Sequence, residues 1–314
     1  MTYQADLPNP PDLDLLKAKV QSLAESVADN DADIALLMAD NQRIWEAIKS
    51  LAPPVEVPDV LPEPELPDPT PEPEPTPDPI PADLKALPAS DFRPWHKHTH
   101  DVRYENIDEH PVSGTWNWCQ AETPRKHRLF VDGGVLQRTD HRGQPFKGWK
   151  EYYFKGVKFD GLQWATESNG GNIPGAMIGC DFYNVGEDAI RSLYGHIENV
   201  TVHSVKRIPG AHGDTIQWEQ DLENAGLVRN VKSTSGQLHG IITRGVTNLV
   251  IDGFEHCGPN DGGWSILFRG DVENITIRNC KLSGGIVFQG QQRNVNIDWA
   301  TVRTNVPRDQ FPSN

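Results

Sequence analysis

Asn248-Leu-Val-Ile251, Asn274-Ile-Thr-Ile277 and Asn294-Val-Asn-Ile297 are three versions of one short apolar strand opened by asparagine, and their reading decides the fold. Further back the same kind of strand recurs as Val157-Lys-Phe159, Ala176-Met-Ile178, Val200-Thr-Val202 after Asn199, and Leu227-Val228. The last members of this series lie 19, 24, 26, 23, 26 and 20 residues apart. A second series shares the period: Asp188-Ala-Ile190, Asp214-Thr-Ile216, Gly240-Ile-Ile242, Trp264-Ser-Ile266 and Gly285-Ile-Val287. No run is long enough for a helix, and Gly, Asn and Asp punctuate them, as expected of strands joined by turns. One such coil cannot bury its inward side, so coils must stack and enclose a continuous apolar interior. The expectation over residues 150–306 is a mainly β domain of about seven parallel coils.

The N-terminal part obeys a different rule. Leu13, Val20, Val27, Ile34, Asn41 and Ile48 fall at heptad position a, and Leu16, Leu23, Asn30, Leu37, Ile44 and Leu51 at d. A seam that keeps this period over more than five heptads predicts an α-helical coiled coil over residues 13–52. The two buried amides, Asn30 and Asn41, would fix register and oligomer number, because any slip leaves them unpaired. β-Branched residues at a with Leu at d lean towards two strands. Residues 53–88 hold fourteen prolines and nine acidic residues against Lys85 alone. Each proline fixes φ and pushes its predecessor out of the α region, so a polyproline II linker is expected. At about 3.1 Å per residue it reaches roughly 100 Å.

Charge follows the same division. Residues 1–90 carry 5 Lys/Arg and 18 Asp/Glu, while 91–314 carry 24 and 26, so nearly all of the net −15 lies in the N-terminal part. An acidic arm argues against nucleic acid and against an anionic membrane as partners. Met1–Pro11 has neither a basic region nor an apolar core, so no export signal is expected, and no apolar run is long enough to span a bilayer. Cys119, Cys180, Cys257 and Cys280 form no Cys-x-x-Cys pair. The last three sit in apolar strand contexts and are expected as reduced core residues. The remaining segments are an arm over 1–12, a cap segment over 89–149 and a tail over 307–314.

The coils Asn274-Ile-Thr-Ile-Arg-Asn-Cys280 and His212-Gly-Asp-Thr-Ile-Gln217 resemble the right-handed parallel β-helix of the pectin-lyase-like superfamily. The order of arm, coiled coil, proline-rich shaft and β-helix resembles the head and tail spikes of tailed bacteriophages and of phage-like gene transfer agents. That resemblance implies a homotrimer, and hence three helices in the stalk. It also implies an N-terminal arm seated on a capsid or tail protein, a place on the particle surface after synthesis in the bacterial cytoplasm, and a host surface polysaccharide as ligand. It is an analogy of architecture and transfers no catalytic residue.

In the second series Asp188 and Asp214 occupy equivalent places on adjacent coils, so their carboxyls should be neighbours, about 4.8 Å apart by strand spacing. Glu187, His212 and His239 flank the row, with Arg191, Gln217, Trp218 and Arg244 near in register and Trp264 two coils beyond Asp214. Carboxylates, arginines and tryptophans on one long face suit a saccharide groove, aromatics stacking on sugars and Arg binding uronates. The carbohydrate-binding candidates are therefore Glu187, Asp188, Arg191, Asp214, Gln217, Trp218, Arg244 and Trp264. A retaining glycosidase needs two carboxyls about 5–5.5 Å apart, which this pair could supply. A lyase would use His212 or His239 as base and Arg244 to stabilise the anion. The competing reading makes both aspartates turn residues at coil corners. Binding without cleavage is the expectation, with a polysaccharide hydrolase or lyase as the alternative and a purely structural fibre as a third.

His96-Lys-His98-Thr-His100 places three imidazoles at alternate positions, which share one side of a strand. Around a threefold axis they would form rings suited to a transition metal, a use that some phage spikes resemble with His-x-His pairs and iron. The alternative is a solvated segment with no cofactor. Trp116 and Trp118 are read as a lid over the first coil.

Overall fold

The computed structural model describes residues 78–304, apart from 94–95, 110–118, 139–145, 165–170, 206–207, 209–212, 235–238 and 258–263. The arm, the coiled coil, residues 53–77 of the linker, Trp116, Trp118, His212 and the tail over 307–314 lie outside the described residues.

The described chain is mainly β, a parallel solenoid of about seven turns with almost no helix. Among the described residues every strand pairing is parallel, and strands inside each sheet bond to their equivalents one coil before and one coil after. Early coils use long strands that span two faces: Val102–Glu109, Arg128–Gln137 and Glu151–Asp160. The next coil breaks in two, so that Phe154 of the long strand pairs with Met177 and Phe159 with Phe182. The break falls at a corner held in the left-handed region, with φ of 64° at Gly156, 60° at Gly179, 54° at Asn199, 49° at Asn230, 79° at Gly253 and 55° at Asn279. Only Gly, and Asn through its local hydrogen bonds, visits that region cheaply. The corner also resets strand alternation, so Ile197 and Val202 both face inward on either side of Asn199.

That reset explains a register error in the sequence reading. The first apolar series mixed two faces. The inward ladder of the first face is Met177, Ile197, Val228, Ile251, Ile277 and Ile297. Phe159 and Val202 belong to a second ladder with Phe182. Likewise Asn199 pairs with Asn230 at the corner, whereas Asn248, Asn274 and Asn294 stack with Asn224 in a separate ladder.

The third face is a five-stranded sheet made of Ile190–Arg191, Asp214–Gln217, His239–Thr243, Ile266–Phe268 and Ile286–Phe288. Ile190, Ile216, Ile241, Ile266 and Ile286 align across it and are fully buried. Burying each stabilises the stack by about 1.5–3 kcal/mol. Against the expected second series, two coils shift by one residue: Ile241 and Ile286, not Ile242 and Val287, hold the inward places.

Two other expectations change. Asp78–Pro88 is not free linker: Ala82–Lys85 is a helical turn. Its Leu84, with Ile80, packs on the outer side of Phe130, Tyr153 and Ala176, because these apolar groups need cover on a face that otherwise meets water. Among the cysteines, Cys119, Cys180 and Cys280 are buried, but Cys257 is exposed just past Glu255–His256. Burial pushes the Cys180 thiol up to about 12 and that of Cys280 up to about 11, so neither is a nucleophile at neutral pH.

Candidate functional site

The third face ends in a column whose members come from consecutive coils. Asp214 pairs with His239 in strand register, and the amide of Ala189, next to Asp188, donates to the carbonyl of Asp214. On the other side, Gly240 N donates to Trp264 O at 3.2 Å and Trp264 N to His239 Nδ1 at 3.1 Å. Asp188, Asp214, His239 and Trp264 therefore stack in that order, as the repeat predicted for the aspartates and Trp264; the equivalent residue of the third coil is His239 rather than Gly240. The rings of His239 and Trp264 lie 5.4 Å apart and 5° from parallel. Trp264 is the exposed large apolar residue of the described chain, at 37%.

The aspartates are adjacent: Asp214 N donates to Asp188 Oδ1 at 3.1 Å. Gln217, its amide turned so that nitrogen faces the acids, donates to Oδ2 of both at 3.0 Å, so these oxygens are no further apart than twice that distance. Both residues are completely buried, at 0% exposure. Burial foremost, then the charge of Asp214, holds the Asp188 carboxyl well above the usual carboxylate range, with Arg191 opposing. The pair keeps a proton at pH values where a surface carboxyl is ionised. As a catalytic pair the two carboxyls are close neighbours but lack access, since a substrate bond cannot reach fully buried oxygens.

Arg191 roofs the pair. Its guanidinium lies 3.3 Å from Glu187 Oε1 and 3.7 Å from Asp188 Oδ2, bonds to Glu219, and sits 4.7 Å from the centre of the Trp164 ring. Glu187 is further engaged by Gln163 Nε2 at 2.8 Å. Glu187 and Arg191 thus lock each other and cover Asp188. Trp164 and Glu219 carry this network, and the repeat alone gave Trp164 no signal.

Trp218 was placed in the groove by proximity, and this is corrected: it is 1% exposed, and its Nε1 donates inward to Leu193 O at 2.6 Å. Strand alternation explains it, since Ile216 and Trp218 share the inner side while Gln217 lies between them. Past this point Gln217, Glu219, Gln220, Thr243, Arg244 and Arg269 line a shallow cleft of about 270 Å³. Arg269 escaped the sequence reading, although Glu219, Arg244 and Arg269 each stand three residues beyond the aligned isoleucines Ile216, Ile241 and Ile266.

The histidine cluster forms only in part. Ring centroids of His96 and His98 are 4.5 Å apart and those of His98 and His100 5.8 Å. His98 is turned inward at 4% exposure, with Nε2 bonded to Tyr104 Oη at 2.6 Å. Burial lowers its pKa to about 4, so the ring is neutral. The strand ends at His98, which is why His100 does not continue its face. Among the described residues no three His, Cys, Asp or Glu side chains are arranged to hold a metal ion. No helix of the described residues is long and apolar enough to cross a membrane.

No protein-family model, no curated protein and no solved structure matches this chain.

Proposed function

We propose that this chain is a surface spike or fibre of a phage or phage-like particle that binds a host polysaccharide along the third face of its solenoid. In this reading residues 1–12 dock on a capsid or tail protein, residues 13–52 form a three-stranded stalk, and the acidic proline-rich segment holds the solenoid away from the particle. The observation that carries the binding role is Trp264, an exposed indole backed by His239 at the end of a polar column. A ring held rigid on one side and open on the other is a platform for a sugar. The neighbouring cleft with Arg244 adds hydrogen-bond donors. Binding is favoured over depolymerisation because Asp188 and Asp214, the best acid pair on this face, are wholly buried. A metal at the histidines is no part of the proposal, because among the described residues no three His, Cys, Asp or Glu side chains are arranged to hold one.

Purified protein incubated with capsular polysaccharide tests this. Association without change in chain length is expected. Shortened chains would replace the reading by a depolymerase, and no association with any surface glycan would leave a structural fibre.

A further inference from the structure

Several charged side chains on this solenoid pair from coil to coil. Arg278 lies 2.9 Å from Asp252, Lys281 and Lys232 lie 2.9 and 3.4 Å from Glu255, and Arg293 lies 3.9 Å from Glu273. Arg191 takes Glu219 in the same way. Strands one coil apart are about 4.8 Å apart, so opposite charges at equivalent positions attract and like charges repel.

Arg244 and Arg269 make no such pair. They hold equivalent positions on adjacent coils, three residues past Ile241 and Ile266, and both are exposed. Neither forms an ion pair among the described residues, and the nearest carboxylate in the column, Glu219, is already held by Arg191. Both line the cleft, beside the neutral side chains of Gln217, Gln220 and Thr243. Two arginines at equivalent positions of adjacent coils, in a recess whose one carboxylate, Glu219, is engaged by Arg191, leave a place for an anion. Guanidinium forks bind planar carboxylates and tetrahedral oxyanions through paired N–H donors.

We propose that Arg244 and Arg269 form an anion subsite, and that the polysaccharide bound by this face is negatively charged, its acidic groups seated between the two guanidinium groups. This rests on the glycan-binding reading and adds to it the ligand class and Arg269. The near-neutral balance of residues 91–314, 24 basic against 26 acidic, poses no long-range barrier to such a chain.

The test uses the full-length protein and three polymers: polygalacturonate for carboxylates, dextran sulfate for sulfate esters, and dextran as the neutral control. Binding to a charged polymer over dextran is expected, weakened by salt, and the polymer preferred assigns the acidic group. Arg244→Gln and Arg269→Gln should each weaken that binding about tenfold or more, and Arg269→Lys should restore part of it. Both side chains are exposed, so thermal melting should not change in any of the three variants. Equal binding of dextran and the charged polymers, or Gln variants that bind as wild type does, would overturn the anion subsite and leave glycan binding standing. If none of the three polymers binds, the anion subsite falls, and the incubation with capsular polysaccharide decides the glycan-binding reading by itself.

Discussion

Trp264 lies flat against His239, ring planes 5° apart and centroids 5.4 Å apart, while 37% of its surface remains open. Trp218, two coils earlier, is 1% exposed and donates its Nε1 inward to Leu193. Two tryptophans near one face thus answer to different forces, and substitution separates them. Trp264→Ala should weaken polysaccharide binding about tenfold, on the order of 1–3 kcal/mol, with melting nearly unchanged. Trp218→Ala should cost about 3–5 kcal/mol of stability, by cavity formation and by loss of its hydrogen bond. Titration with polysaccharide and thermal denaturation of both variants check this. A destabilised Trp264 variant would mean that the indole serves the coil end and not a ligand.

Buried acid and buried histidine give stability opposite dependences on pH. Asp188, its carboxyl held above the ordinary 3.8 by burial and by Asp214, binds its proton more tightly folded than unfolded. Its contribution is therefore full at low pH and is lost as pH rises through the folded value. His98 and His256 are lowered from 6.5 to about 4 by burial, so they penalise folding as pH falls from 6.5 towards 4. Stability should peak in the mildly acidic range. Asp188→Asn removes the alkaline loss: it should raise the melting temperature at neutral and alkaline pH and change little in acid. Melting curves across pH measure this, and an Asn variant less stable at every pH would mean that Asp188 is ionised and needed as such.

The coil repeat was readable because inward aliphatic residues recur with turn residues between them, and the adjacency of Asp188 and Asp214 followed directly. Handing residues to faces was harder. The corner at Asn199 or Gly253 admits an extra inward residue, so alternation cannot be counted through it. The same limit misplaced Trp218, whose inward direction depends on Ile216 two residues before. The lock of Arg191 on Trp164 and Glu219 joins side chains from three coils with no shared spacing. Leu84 looked like a linker residue because prolines surround it, yet its burial against Phe130 and Tyr153 outweighs them.

The stalk reading makes a prediction of assembly. The seam over residues 13–51 is apolar at all positions but Asn30 and Asn41, so its association should hold the full chain together. Sedimentation equilibrium should give a trimer for the full chain and a smaller species for a chain starting at Pro75, where the compact C-terminal unit begins. A monomeric full chain would remove the stalk, and a dimer would remove only the stoichiometry. Replacing Asn30 and Asn41 by Ile and Leu should raise stability and broaden the distribution of oligomers.

The asparagine ladder offers the sharpest stability test. Asn274 Nδ2 donates to Asn248 Oδ1 at 2.9 Å, and its own Oδ1 accepts from Asn294 Nδ2 at 2.7 Å, with φ at 55°. Asn274→Ala loses both bonds and leaves a Cβ in the left-handed region without local compensation, for a cost of about 2 kcal/mol. Asn274→Gly loses the bonds but adopts the conformation freely, offset in part by greater freedom of the unfolded chain, so about 1 kcal/mol is expected. Asn294→Ala should cost less than Asn274→Ala, because among the described residues its ladder continues on one side only and it lies in the last long strand. In a solenoid each coil contacts only its neighbours, so the loss should be local, appearing as faster amide exchange in the strands around residues 246–252 and 272–278. Urea denaturation gives the ranking. Equal cost for the alanine and glycine variants would assign the whole effect to the side-chain ladder and none to backbone conformation.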